Sequence, residues 1–160
     1  MDPKALVLPQ AEVPARYLLD PGNSMAISRA FVVAAKSDGA RVLVRTGFVS
    51  GYFARYRSTE PPRWRSITAG AYVFRGSAGA KKALPSMIAG TNRGLGRARR
   101  VNLGDEGWVL GSGTGETGTY VLWRHGRVLS FVICLQMTQH RTVALAHARK
   151  QERRITAKLG

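Results

Sequence analysis

The clearest pattern of apolar and polar positions lies between Gly118 and Met137, GTYVLWRHGRVLSFVICLQM. Two apolar runs flank His125-Gly126, and glycine at a two-residue connection takes positive φ at little cost, so the pattern predicts a tight β-hairpin. A turn centred there pairs Arg124 with Arg127, Trp123 with Val128, Leu122 with Leu129 and Tyr120 with Phe131. Strand alternation then puts Tyr120, Leu122, Leu129, Phe131, Ile133 and Leu135 on one face. Val121, Trp123, Val128, Val132 and Cys134 share the other with Ser130. Both faces are apolar, which predicts central strands of a sheet covered on both sides.

Elsewhere the pattern is shorter and more varied. Residues 1–22 carry apolar clusters, Leu6-Val7-Leu8 and Tyr17-Leu18-Leu19, separated by Pro9 and Pro14. They read as an extended N-terminal arm with at most one edge strand. From residue 23 to 160 the pattern describes one domain. Asn23 or Ser24 stands where a helix cap is expected, and Ile27, Ala30, Phe31 and Ala34 then follow helical spacing, which predicts a helix over 24–36. The stretch ARVLVRTG fits a short helix ending at Gly47, although its spacing also admits a strand. FVSGYFARYRST alternates as a half-buried strand with Phe48, Ser50, Tyr52, Ala54 and Tyr56 on one side; RSITAGAYVFR is its antiparallel partner across Pro61-Pro62. Ser77 starts a helix over 77–89 that Pro85 is expected to kink or end early. Two short strands surround Gly104–Gly107. A final helix over 140–158 buries Leu145, Ala148, Ile155 and Leu159 and wets Arg141, Arg149, Lys150, Arg153 and Arg154. This order describes an α+β fold: an antiparallel sheet of about five to six strands with three main helices, sandwich-like. Strand–strand–helix occurs twice, which hints at an internal repeat.

Charge changes the picture. Twenty-five Lys and Arg face nine Asp and Glu, for a formal net charge of +16. Such a field attracts nucleic acid, anionic membrane surfaces and acidic glycans, and equally keeps a protein soluble. Two groups concentrate it: Arg93, Arg97, Arg99 and Arg100 in a glycine-rich loop, and Arg149, Lys150, Arg153 and Arg154 on the last helix. These eight are the candidate polyanion-binding residues. Tyr52, Tyr56, Trp64 and Trp123 offer ring surfaces for stacking, or belong to the core. No helix–turn–helix, zinc-finger or RNA-recognition signature accompanies them, so no sequence-specific nucleic-acid reading follows.

Candidate chemistry is sparse. Cys134 sits in a central strand and reads as a small buried hydrophobe. GSGTGETGT and GTNRGLGRARR do not lead from a strand into a helix with Lys-Ser/Thr, so they are expected to be hairpin loops and not phosphate cradles. His140 and His147 stand seven apart on one helix with no third ligand, and no metal or other cofactor is expected. Asp105-Glu106 lies in a turn, where adjacent carboxylates are ordinarily solvated, and there is no Gly-x-Ser-x-Gly elbow. No catalytic residues are assigned. Opposed His and carboxylate groups in a cleft, such as His140 or His147 on Asp105 or Glu106, would mark an enzyme instead.

Several phrases, LPQAEVPARYLLD, TGFVSGYFARYR, ITAGAYVFRGSAGAKKAL, NLGDEGWVL, YVLWRHGRVLSFV and ALAHARKQERRI, together span most of the chain. They resemble a group of exported actinobacterial-type domains of uncharacterised function. That resemblance implies a fold similar to the α/β sandwich of sensor domains on mycobacterial receptor kinases and of PsbP-like proteins. It also implies a non-enzymatic extracytoplasmic module with an unknown small ligand. The start, MDPKALVLPQAEVP, lacks the basic-then-apolar order of an export signal and a lipid-anchor cysteine, so the compartment is expected to be extracytoplasmic on the resemblance alone.

Overall fold

One antiparallel sheet of eight strands organises the chain. The computed structural model describes residues 1–61, 65–91, 97–111, 118–135 and 140–159. Its strands are β1 (Tyr17–Leu19), β2 (Met25–Ser28), β3 (Phe48–Ser58), β4 (Ser66–Phe74), β5 (Arg99–Val101), β6 (Glu106–Leu110), β7 (Thr119–His125) and β8 (Val128–Leu135). The helices are α1 (Arg29–Ala34), α2 (Asp38–Arg45), α3 (Ser77–Thr91) and α4 (His140–Leu159), with short 3-10 turns near the N-terminus. Strand order is β1-β3-β4-β8-β7-β6-β5, and β2 extends the β1 edge alongside β3. The hairpin is therefore central, as its two apolar faces require.

Its register differs from the expected one. His125 pairs with Val128, Leu122 with Phe131 and Tyr120 with Ile133. The two turn residues are Gly126-Arg127, not His125-Gly126. Gly126 has φ 53° and occupies the first central position, where a II′ turn requires glycine. Moving the turn by one residue shifts the pairing by two, so every side chain keeps its predicted face.

The expected five to six strands and three helices undercount the fold, because β2 reads locally as the start of a helix, β1 is too brief to show a period, and the spacing of α2 also admits a strand. The predicted helix over 24–36 is instead β2 followed by α1. Ser24 is not its cap: the Ser24 hydroxyl accepts the Arg55 N–H at 2.9 Å and ties this segment to β3. Ser28 caps α1 through the Phe31 N–H at 3.1 Å. The ambiguous stretch is helix α2, capped by Ser37 and closed before Gly47 at φ 84°. A bulge between Phe48 and Ser50 turns Phe48 to the face opposite Tyr52, Ala54 and Tyr56. Pro85 does not end α3; it lies on the exposed side of the helix.

The sheet is covered on both sides. On one face α4 and the N-terminal segment pack on Ala54, Tyr56, Ala69, Ala71, Val121, Trp123 and Val132. On the other, α1, α2 and α3 cover Phe48, Phe74, Leu110, Leu122 and Leu129. Large side chains wholly buried in such a layer contribute roughly 1.5–3 kcal/mol each. Helices α3 and α4 thus lie on opposite faces, and the repeated strand–strand–helix order is not a repeat of packing. A Cβ on Gly79 would fall on the Thr46 carbonyl oxygen, so glycine is what lets α3 approach the end of α2. Among the described residues no helix is long and apolar enough to cross a membrane.

Candidate anion-binding groove

The N-terminal segment is held against the sheet by its own sequence. Leu6, Val7, Leu8 and Val13 are buried in the α4-side core. The Tyr56 hydroxyl donates to the Leu8 carbonyl. Burial pushes that phenol up to about 12, with the Tyr52 ring adding to the effect, so it stays a neutral donor. Gln10 donates Nε2 to the Tyr17 carbonyl at 2.7 Å and accepts the Leu19 N–H at 2.8 Å. Glu12 is thereby fixed beside α4.

Helix α4 is fixed from the other side by polar groups within its buried stripe. Its buried residues are His140, Ala144, His147, Ala148, Gln151 and Ile155. The two alanines allow close approach to a sheet face that is itself rich in alanine and valine. His140 Nδ1 meets Thr119 Oγ1 at 2.6 Å, and Gln151 Nε2 donates to the Gly70 carbonyl at 2.9 Å. His147 Nδ1 donates to the Val143 carbonyl at 2.8 Å. Glu152 accepts the Trp123 Nε1–H at 2.6 Å and pairs with His125 Nδ1 at 2.5 Å. These contacts set the rotation of α4 about its axis.

That rotation aims Lys150, Arg154 and Lys158, spaced i, i+4, i+8, toward the N-terminal segment. Lys150 Nζ donates to the Glu12 carbonyl at 3.0 Å. Arg154 donates Nη1 to the Glu12 carboxylate at 2.8 Å and Nη2 to the Ala5 carbonyl at 3.4 Å. Between helix and segment lies an open groove of 590 Å³, lined by Glu12, Lys150, Arg153, Arg154, Ala157 and Lys158. Four cations face it against one carboxylate. Arg153 and Lys158 are exposed and have no carboxylate partner among the described residues. Arg154 also borders a cavity of 230 Å³ whose walls include Lys4, Tyr52 and Tyr56. Chemically the groove offers fork-shaped and point-like donors to phosphate or carboxylate oxygens.

Of the eight residues named from sequence, the seven that are described lie in two places. Lys150, Arg153 and Arg154 line the groove; Arg149 is exposed but outside it. Arg97, Arg99 and Arg100 are exposed at the far edge of the sheet, where Arg100 stacks on Trp108 at 4.5 Å and reaches Glu106 at 3.4 Å. Arg93 and Trp64 lie outside the described residues, as do residues 92–96 of one glycine-rich loop and 112–117 of the other. Of the other rings proposed for stacking, Trp123 and Tyr56 are buried, and Tyr52 lies under Lys4. Lys158 and Glu12 are the groove residues that sequence reading missed. Lys158 was legible as the next member of the i, i+4 series; Glu12 was not, because nothing local places it beside α4.

Of the carboxylates, Asp105 departs from expectation. Asp105 is not merely solvated: it accepts from Arg124 Nη1 at 2.6 Å and from the Gly126 N–H at 2.8 Å, joining two turns. Neither His140 nor His147 meets Asp105 or Glu106; the His–carboxylate pair among the described residues is His125–Glu152. Burial pushes the Cys134 thiol up to about 12, consistent with a packing role. Among the described residues no group of three His, Cys, Asp or Glu side chains stands close enough to hold a metal ion.

No family model matches the chain, and neither does any curated protein. Among solved structures the chain is similar to the extracellular domain of PknH from Mycobacterium tuberculosis, with a TM-score of 0.59 and 12% identity over 94% of this chain and 95% of that one. At that identity the likeness is one of fold, and it agrees with the part of the sequence resemblance that pointed to receptor-kinase sensor domains. The chain therefore carries an α+β fold similar to that extracellular domain, with a cationic groove built on its last helix.

Proposed function

We propose that this protein is a non-enzymatic, extracytoplasmic binding module of the sensor type that takes an anionic ligand in the groove between α4 and the N-terminal segment. The observation that carries the reading is the pair Arg153 and Lys158, exposed and without a carboxylate partner among the described residues, on a groove whose other cations are already fixed by Glu12 and Ala5. A site with two cations held and two free is partly pre-ordered, which lowers the entropy lost on binding. The fold likeness to an extracellular domain supports the sensor-type assignment and the compartment.

A second reading is sequence-independent polyanion binding, favoured by the separate exposed group Arg97, Arg99 and Arg100 and by the net charge of +16. Length separates the two. A groove ligand saturates at one per protein and gains little once the anion spans the groove, whereas counterion-release binding grows with polymer length. Native mass spectrometry against citrate, a sugar phosphate, pyrophosphate and polyphosphates of increasing length reads both. A single stoichiometric adduct lost in Arg153→Gln/Lys158→Gln supports the module. Adducts that scale with length and ignore those substitutions favour the second reading.

A further inference from the structure

The opposite face of the sheet carries a groove of different character. Helices α1 and α2 enclose 450 Å³ with Val32 and Ala40 as a buried floor and Val33, Val42 and Val44 as apolar walls. Its rim holds Lys36, Arg41 and Arg45. The one acid there, Asp38, is taken up in an ion pair with Arg41. Lys36 turns the chain from α1 to α2 at φ 51°, the one positive φ on a non-glycine among the described residues, and so stands at the mouth.

This part of the molecule also leaves apolar surface in water. Val33, on the groove wall, is more than half exposed, as is Phe31 on the same helix. Exposed apolar side chains beside a recess mark a contact site more than scattered exposure does.

Charge decides among occupants. A second copy in a two-fold contact would set Lys36, Arg41 and Arg45 against the same three cations. A bilayer is flat and rewards protruding side chains, while the floor here is recessed. An anion with a narrow apolar tail meets both features. We propose that the α1–α2 groove binds the monomeric anion of a straight-chain fatty acid, its tail along Val32, Val33, Ala40, Val42 and Val44 and its carboxylate at the cationic rim. The site is independent of the α4 groove, and the two stand or fall separately.

The test is a titration of ¹⁵N-labelled protein with octanoate, decanoate and dodecanoate, kept below micelle formation at low salt. The expected result is saturable shifts confined to residues 29–46. Affinity rises roughly fourfold for each added CH₂ until the groove is filled. Val33→Glu, at an exposed position, weakens decanoate about tenfold or more by placing an unpaired charge against the tail. Lys36→Gln/Arg45→Gln weakens decanoate several-fold and leaves decanol unchanged, and this arm stands even if Val33→Glu misfolds. Shifts elsewhere, no saturation, or equal binding by the rim variant would overturn the proposal. So would binding only to anionic phosphatidylglycerol vesicles, or self-association through this face.

Discussion

The two faces of the sheet are built on different principles. The face under α1, α2 and α3 is held by shape. Phe48, Tyr72, Phe74 and Phe131 meet edge to face, with centroids 5.6 to 6.0 Å apart, and leucines from β6, β7 and β8 fill between them. The face under α4 is lined with alanine, valine and one tryptophan, and threaded by hydrogen bonds: Thr119 to His140, Gln151 to Gly70, Trp123 to Glu152. A shape-held face tolerates rotation of a helix as long as volume is filled. A hydrogen-bonded face does not, because each buried polar group must keep its own partner. The rotation of α4 is therefore specified, and with it the direction in which Lys150, Arg154 and Lys158 point.

The largest effect tests the shape-held face. Phe74→Ala removes a wholly buried ring from the edge-to-face set and is expected to cost ~3–5 kcal/mol in urea unfolding. A loss under ~1 kcal/mol would mean that this face does not depend on its aromatics. On the other face, Trp123→Phe keeps most of the volume but leaves Glu152 short of a donor. It is expected to cost about 1–3 kcal/mol and to disturb the backbone amide signals of α4. Unchanged α4 signals would break the distinction between the faces.

A smaller effect follows pH. His147 is held below its ordinary value of 6.5, chiefly by burial and also by Lys150, with the Val143 bond acting the other way. The unfolded chain thus binds a proton that the folded chain resists, so stability falls as pH drops below about 6.5, toward the lowered folded value. His147→Gln should flatten that part of the stability curve, measured by urea midpoints at pH 7.5, 6.5 and 5.5. Equal slopes in both proteins would contradict the assignment. The smallest effect is Gln151→Met. The lost bond to Gly70 is offset by removing a buried Oε1 that has no partner, so the change stays within about 1 kcal/mol. A loss above ~2 kcal/mol would show that an unseen partner satisfies that oxygen.

Much of the fold was legible because it is periodic. The β7–β8 alternation identified the central strands, and its faces survived a turn placed one residue off. Segment 24–28 misled because Ser24 has the chemistry of a helix cap and spends it on the β3 backbone, 31 residues away. β2 exists only through its pairing with β3, since four residues carry no period of their own. The groove was half legible: the cations of α4 are local and visible, while Glu12 joins them across a separation of 142 residues. His147 and Gln151 were invisible as core, since polar side chains in a buried stripe carry no apolar signature.

The central claim is that the free cations of the α4 groove, and not the net charge, bind the anion. It is tested by titrating short-chain polyphosphate into wild type, Arg153→Gln/Lys158→Gln and Arg97→Gln/Arg99→Gln at several salt concentrations. Lys150 and Arg154 are left intact because they hold the N-terminal segment. The account predicts that the groove variant loses about tenfold or more in affinity and flattens the dependence of log K on log salt by about 2, while the edge variant changes less than about twofold. Equal losses in the two variants, or a larger loss in the edge variant, would contradict it.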